Sequence, residues 1–246
     1  MAGHSKWANI QHRKGRQDKI RGKIFSRCAK EIMVAAKQGG GDPDGNPRLR
    51  LAIEKARAAN MTKDKIDNAI KKATGEAEAL NIEEVRYEGY GPGGIAVMVD
   101  CVTDNKNRTV AEVRHAFSKS GGNLGTDGSV SYLFNKRGVI ELTADSDEEQ
   151  VMSVALEYGA DDIITEEDHT MIVYTNPDSF ETVKGALAQA NLTITSATIT
   201  MIATTRTVLD KAMSEKLLKL LDLLEDLDDV QEVYSNADIA DECLSD

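Results

Sequence analysis

Basic side chains crowd the first forty residues, and their spacing points to binding of phosphate groups. At about 100° per residue, five of them fall within about 80° of one another on one face of a helix predicted over residues 20–38. We call this face the basic stripe; its members are Lys19, Lys23, Arg27, Lys30 and Lys37. Ammonium and guanidinium groups arranged in this way bind phosphate oxygens. The basic stripe therefore predicts contact with a nucleic-acid backbone.

The preceding residues 1–18 form a basic arm with no apolar periodicity and with Asp18 as their one acid. Trp7 and His12 have rings that can stack on an exposed base, although packing of Trp7 against the helices is an equal alternative. The predicted contacts are Lys6, Trp7, His12, Arg13, Lys14, Arg16, Lys19, Arg21, Lys23, Arg27, Lys30 and Lys37. Lys106 and Arg108, at a later predicted helix start, are secondary candidates for phosphate contact.

The charge of the chain is strongly divided along its length. The whole chain of 246 residues has a formal net charge of −11, but residues 1–72 hold 18 Lys/Arg and seven Asp/Glu, a net charge of +11. Residues 73–246 therefore carry a net charge of −22. Such asymmetry indicates a nucleic-acid or anionic partner for the basic part. The alternative is that the two parts neutralise each other within one fold.

Other kinds of chemistry find little support in the sequence. The nucleophile-elbow, zinc-protease and P-loop motifs are absent, and the three cysteines are too far apart for a zinc site. Acids at 161–168 have no accompanying histidine pattern, so we interpret them as solvated turn residues. Within the uncharged stretch at 185–205, residues 192–201 alternate with period two, as a strand does, and the apolar parity switches at Ser196. We expect a cytoplasmic protein that has no catalytic activity, cofactor, metal site or membrane contact.

The periodicity of apolar residues predicts helices first and strands later. Three helices are predicted between residues 20 and 75. The second is capped by Asn46 with Pro47 at its first position, and the third is capped by Thr62. A hairpin at 85–102 follows, and Thr109 with Glu112 resembles a capping box that opens a helix. Two strands are predicted within 130–143, interrupted at Asn135–Gly138.

The order from residue 139 to residue 202 is strand, helix, strand, strand, helix, strand, which is a ferredoxin-like unit. A leucine-rich helix and a closing strand at 230–234 follow. We therefore predict an α+β fold: an N-terminal three-helix domain and two ferredoxin-like α/β domains, one inserted in the other. The predicted boundaries are 1–76 for the basic arm and helical domain, 77–130 plus 205–246 for the discontinuous α/β domain, and 131–204 for the inserted domain.

Several motifs together resemble the YebC/PmpR family, which includes mitochondrial translational activators. The resemblance covers essentially the whole chain, and its most specific parts are AGHSKWANI at 2–10, HRK at 12–14, YEGYGPGG at 87–94, TDNKNRT at 103–109, GGNLGTDGSV at 121–130 and LEDLDDV at 224–230. The resemblance implies a helical N-terminal domain followed by two α/β domains. It also implies either a DNA-binding transcriptional regulator or a ribosome-associated factor that assists translation through proline-rich stretches.

We therefore predict a non-enzymatic, DNA-binding transcriptional regulator that uses the basic arm and stripe. The main alternative is an RNA-binding, ribosome-associated translation factor, since the stripe offers almost no Asn or Gln to read base edges. A more remote alternative is a protein-interaction module that docks basic surfaces of the ribosome or the transcription machinery through its acidic α/β domains. The sequence does not give the oligomeric state, and we take a monomer as the expectation.

Overall fold

A computed structural model describes residues 21–75, 82–239 and 243 of the chain. The described residues divide into two compact units. One unit is Phe134–Thr204, which we call the inserted unit; the other comprises the described residues on either side of it. Helices and antiparallel sheets occur in both the order and the combination expected, so the predicted α+β class is confirmed. The three-domain boundaries stay predictions.

Three helices form the N-terminal bundle, which we call the helical bundle. Small apolar residues from all three helices make its core, from Cys28 and Ile32 to Ile66 and Ala69. The buried Asn46 caps the second helix as predicted, because its side-chain oxygen accepts a hydrogen bond from the Leu49 N–H at 3.1 Å. The helices are α1 (Arg21–Gly39), α2 (Pro47–Ala58) and α3 (Lys63–Thr74).

The next part of the chain builds a four-stranded sheet around the predicted hairpin. We call it the hairpin sheet; its strand order is β3-β1-β2-β9 and every neighbouring pair is antiparallel. A short parallel pair, β8 with β10, closes the same unit. The strands are β1 (Glu83–Tyr90), β2 (Ala96–Thr103), β3 (Asn123–Leu124), β8 (Thr207–Val208), β9 (Val230–Ser235) and β10 (Ala237–Asp238).

Two helices pack on one face of the hairpin sheet. They are α4 (Lys106–Lys119) and α7 (Lys211–Glu225). The core between them and the sheet combines alternate residues of β2 with Phe117 of α4 and the leucines of α7. Spatially this is a ferredoxin-like arrangement, but its two central strands are the consecutive strands of a hairpin, so the path of the chain is permuted.

The inserted unit has the predicted ferredoxin-like topology. Its antiparallel strand order is β5-β6-β4-β7. The change of apolar parity at Ser196 is a β-bulge, since the pairing register shifts opposite Glu141 and Leu142. The elements are β4 (Phe134–Leu142), α5 (Glu148–Glu157), β5 (Ala160–Thr165), β6 (Met171–Thr175), α6 (Phe180–Gln189) and β7 (Ile194–Ala203).

A buried carboxylate holds the loop that leads out of β3. Glu88 of β1 is 6% exposed, and it accepts backbone N–H bonds from Val130 at 2.7 Å, Ser131 at 2.8 Å and Gly128 at 3.0 Å. Burial alone would raise the pKa of Glu88, but these hydrogen bonds lower it below its usual range. The glycine-rich segment is therefore fixed to the hairpin sheet at this point.

Two local predictions were wrong. The helix predicted to open at Thr109 starts three residues earlier: Asn105 caps it by accepting the Arg108 N–H bond, and Thr109 is fully buried. The strand over 134–142 is continuous where an interruption was predicted. Gly138 lies inside it because a Cβ there would approach Thr175 Oγ1 to 2.2 Å, so the glycine marks a close approach and no turn.

The uncharged stretch at 185–205 includes the end of α6 and the whole of β7, and β7 is the strand that the period-two pattern predicted. Among the residues that the structure describes, no helix has the length and apolar character needed to cross a bilayer.

Candidate nucleic-acid interface

The predicted contacts fall into two groups, one inside and one outside the described residues. Arg21 is the first residue of α1, and Lys23, Arg27, Lys30 and Lys37 lie further along the same helix. The remaining predicted contacts lie outside the described residues: Lys6, Trp7, His12, Arg13, Lys14, Arg16 and Lys19. The role of that second group stays a prediction.

Three members of the basic stripe meet the segment that ends α7. We call this segment, Glu225–Asp229, the acidic turn. Lys23 Nζ lies 2.8 Å from Asp226 Oδ1 and 2.9 Å from the main-chain oxygen of the same residue. Arg27 donates to the main-chain oxygen of Glu225, and Lys30 Nζ donates to that of Asp228 at 2.8 Å. The alternative in which basic and acidic parts neutralise each other holds for these residues.

Asp229 is the buried centre of this contact, with 4% of its surface exposed. Its Oδ1 accepts from Lys30 Nζ at 3.1 Å, and its Oδ2 accepts from Arg108 Nη2 at 2.7 Å. The hydroxyls of Thr109 and Thr103 complete the shell at 2.9 and 3.1 Å. One carboxylate therefore links α1, β2, α4 and the acidic turn.

The electrostatics of Asp229 follow from these partners. Burial alone would raise its pKa, but the hydrogen bonds from Arg108, Lys30 and Thr109 outweigh burial and hold the pKa of Asp229 at about 2. The same contacts raise the pKa of the Arg108 guanidinium, chiefly through its bond to Asp229. Asp229 is therefore ionised at neutral pH, and Arg108 and Lys30 compensate its negative charge.

Three more predicted contacts, Lys37, Lys106 and Arg108, also have partners within the chain. Lys37 donates to the main-chain oxygen of Ile82 at 3.3 Å. Lys106 forms an ion pair with Glu83, and Arg108 pairs with Asp104 at 2.8 Å in addition to Asp229. The helix position expected of the two secondary candidates is correct, since Lys106 is the first residue of α4.

Two further polar contacts join the helical bundle to the hairpin sheet. Lys55 Nζ lies 2.8 Å from Glu232 of β9, which raises the pKa of Lys55. Arg48 donates to Glu84 of β1, and Gln38 donates to the same carboxylate at 2.7 Å. All of these contacts are ionic or hydrogen-bonded, and the bundle core and the hairpin-sheet core share no residue among those described.

A second set of cations, which the stripe argument missed, lies on α2 and α3. These side chains are exposed, and no carboxylate of the described chain lies within ion-pair distance of them: Arg57, Lys63, Lys71 and Lys72. Lys65, also exposed, lies over the Phe25 ring at 4.8 Å from its centroid. The net charge of +11 over residues 1–72 was the available signal for this set.

Groupings typical of a metal centre do not occur within 21–75 and 82–239: no three His, Cys, Asp or Glu side chains lie close enough together to hold a metal ion. Cys28 and Cys101 are buried core residues, and burial raises the pKa of Cys101 to about 12.

A helical bundle rich in exposed cations, followed by a hairpin sheet and an inserted ferredoxin-like unit, defines a class of α+β protein. Two family models match the chain: "TACO1/YebC protein N-terminal domain" over residues 5–76, and "TACO1/YebC second and third domain" over residues 82–237. The chain belongs to the TACO1/YebC family, which confirms the resemblance drawn from its motifs.

Similar proteins extend over the full length of the chain. A probable transcriptional regulatory protein of Methylococcus capsulatus is 63% identical, covering 100% of this chain and 99% of its own. Another of that name from Coxiella burnetii is 58% identical, covering 99% and 100%. The crystal structure of a conserved hypothetical protein from Aquifex aeolicus matches with a TM-score of 0.79 and 48% identity, over 89% of this chain and 91% of its own.

Proposed function

We propose that this member of the TACO1/YebC family is a non-enzymatic, nucleic-acid-binding regulator of gene expression that acts as a DNA-binding transcriptional regulator. The observation that carries the proposal is the concentration of positive charge in residues 1–72, part of it displayed on α2 and α3 without a carboxylate partner among the described residues. The names of the relatives support a role in transcription.

The arrangement favours recognition of the phosphate backbone over reading of base edges. The exposed cations are lysines and an arginine, which bind phosphate oxygens irrespective of sequence. The one amide side chain near the end of the basic stripe, Gln38, is held by Glu84 and Arg48 at 2.7 Å each and is therefore engaged within the protein.

This mode of recognition also supports a second candidate function, an RNA-binding factor associated with the ribosome. Folded ribosomal RNA is recognised largely through its shape and its phosphates. A sequence-selective footprint on DNA that survives excess competitor DNA favours the transcriptional role. Selective binding of a structured RNA under the same competition favours the translational one.

The direct test is the salt dependence of binding to a fluorescein-labelled 30-base-pair duplex and to an RNA hairpin of similar length. If about five phosphates are neutralised, log K should fall with log salt at a slope near −4.5 for the duplex. The variant Lys71→Gln/Lys72→Gln should lower the magnitude of that slope by nearly 2, because each lost phosphate contact removes about 0.9.

A matched control is Lys216→Gln/Lys219→Gln, which removes two exposed lysines from α7 and changes the net charge equally. Its slope should stay at the wild-type value. A wild-type slope near zero, or the same decrease in both double variants, contradicts the proposal that the helical bundle binds nucleic acid.

A further inference from the structure

We infer that the acidic turn and a nucleic-acid backbone are competing ligands of the basic stripe, so that binding of nucleic acid releases the helical bundle from the hairpin sheet. The inference rests on the proposed function and adds a means of regulating it. It is carried by the contacts that Lys23, Arg27 and Lys30 make in the structure.

The acidic turn offers the stripe carboxylate and carbonyl oxygens, which accept hydrogen bonds from cations as phosphate oxygens do. Lys23 binds one carboxylate oxygen and one carbonyl oxygen of Asp226, both within 2.9 Å. Arg27 binds a carbonyl oxygen of Glu225, and Lys30 binds oxygens from two successive residues of the turn. A row of anionic and carbonyl oxygens thus follows α1 along one face.

The end of α7 strengthens this attraction. The last carbonyl groups of a helix have no intrahelical partner, and the aligned peptide dipoles place partial negative charge there. Glu225 is the last residue of α7 and Asp226 its C-cap. The basic stripe therefore binds a site that is negative through both its side chains and its backbone.

Two of the ion pairs that join the bundle to the sheet are open to water and salt, beside the Lys30–Asp229 pair, whose carboxylate is buried. The side chains of Lys23 and Asp226 are 34% and 67% exposed, and the Lys55–Glu232 pair is 57% and 27% exposed. Exposed ion pairs of this kind contribute little net stability and are screened by salt. The buried cores of the bundle and the sheet share no residue among those described, and the contacts that join α1 to the acidic turn are polar.

Zero-length crosslinking with a carbodiimide tests the competition directly. The reagent joins a lysine amine to a carboxylate in contact with it, and mass spectrometry of the peptides measures each pair. In the full chain we expect Lys23–Asp226 and Lys55–Glu232 products, both lost at least fivefold when the 30-base-pair duplex saturates the protein. The Lys106–Glu83 product should persist, because it joins α4 to β1 and does not involve the helical bundle.

A pair of variants of the acidic turn provides an independent test. Asp226→Asn removes the carboxylate that pairs with Lys23 and should tighten duplex binding about two- to fivefold, as loss of one exposed ion pair on the competing side allows. Asp228→Asn is the control: it removes the same charge from an exposed residue whose carboxylate pairs with no cation of the described chain. Its affinity should equal that of the wild type.

The outcomes separate the two proposals. Absence of salt-dependent binding by the wild type contradicts the proposed function. Salt-dependent binding with unchanged Lys23–Asp226 crosslinking and an unchanged affinity of Asp226→Asn leaves that function standing and overturns the competition. Equal tightening by both variants, or equal loss of all three crosslinks, also overturns it, because net charge or general shielding then accounts for the effect.

Discussion

Replacing Asp229 by Asn should destabilise the hairpin sheet and its helices α4 and α7 by about 2–3 kcal/mol at pH 7. The substitution keeps the shape of the side chain but removes the charge that Arg108 and Lys30 bind at 2.7 and 3.1 Å. The ordinary pKa of an aspartate is about 3.9, whereas that of Asp229 is about 2 in the folded chain. That difference corresponds to about 2–3 kcal/mol of preference for the ionised form.

The same reasoning fixes the pH dependence. Because folding lowers the pKa of Asp229, its contribution is fully present above about pH 4 and is lost as the pH falls toward 2. The stability difference between wild type and Asp229→Asn should therefore shrink over that range. Hydrogen exchange followed by mass spectrometry measures it, using peptides from α4 and β9 to report on this unit alone.

Asp228→Asn is the matched control for stability as well, since it removes a neighbouring charge from an exposed carboxylate and should change the free energy by less than about 0.5 kcal/mol. A cost below about 0.5 kcal/mol for Asp229→Asn, or equal costs for the two variants, would refute the reasoning. The first result would mean that desolvation of Asp229 cancels its ion pairs, and the second that loss of a negative charge anywhere in the turn has the same effect.

Two further predictions concern the loop clamp and the inserted unit. Glu88→Gln should lower the stability by about 2 kcal/mol and speed amide exchange in the loop at 125–133, because three N–H donors lose a charged acceptor. The control Glu149→Gln, at an exposed residue of α5, should change neither the stability nor the exchange. Since folding lowers the pKa of Glu88, the stability difference between wild type and Glu88→Gln should fade as the pH falls through that lowered value. Gly138→Ala should lower the stability of the inserted unit by about 1–3 kcal/mol, because the new methyl group meets Thr175. Gly185→Ala, inside α6 with open space around it, should instead raise stability by up to about 1 kcal/mol in thermal unfolding; destabilisation by both alanines would contradict the packing argument.

Short-range patterns predicted most of the fold. The period of apolar residues placed the helices of the bundle and the elements of the inserted unit, apart from the start of β4, within two residues of their ends. Asn46 with Pro47 identified a helix start by local chemistry. The errors lie where a local signal had a long-range cause. Thr109 looks like a helix cap because it is a small polar residue. In the structure its side chain is buried, and its hydroxyl donates a hydrogen bond to Asp229, 120 positions away.

The basic stripe shows the same limit at the candidate interface. Its helical spacing is readable from the sequence, and in the structure Lys23, Arg27 and Lys30 all contact one segment of the chain. What they contact depends on the acidic turn, about 200 residues later. The sequence displays that turn as a cluster of acids beside Leu224, but only the tertiary fold brings it to α1.

The pairing of β4 with β7 has a consequence for how the chain folds. Phe134 and Ala203 are cross-strand partners, so the chain enters and leaves the inserted unit at positions about 5 Å apart. About seventy residues separate the part of the hairpin-sheet region before the inserted unit from the part after it. Once the inserted unit has formed, its two ends are so close that it acts as a connection of only a few residues between these parts. The loop-closure entropy for pairing β9 with β2 falls accordingly. Early folding of the inserted unit would thus accelerate completion of the sheet around it.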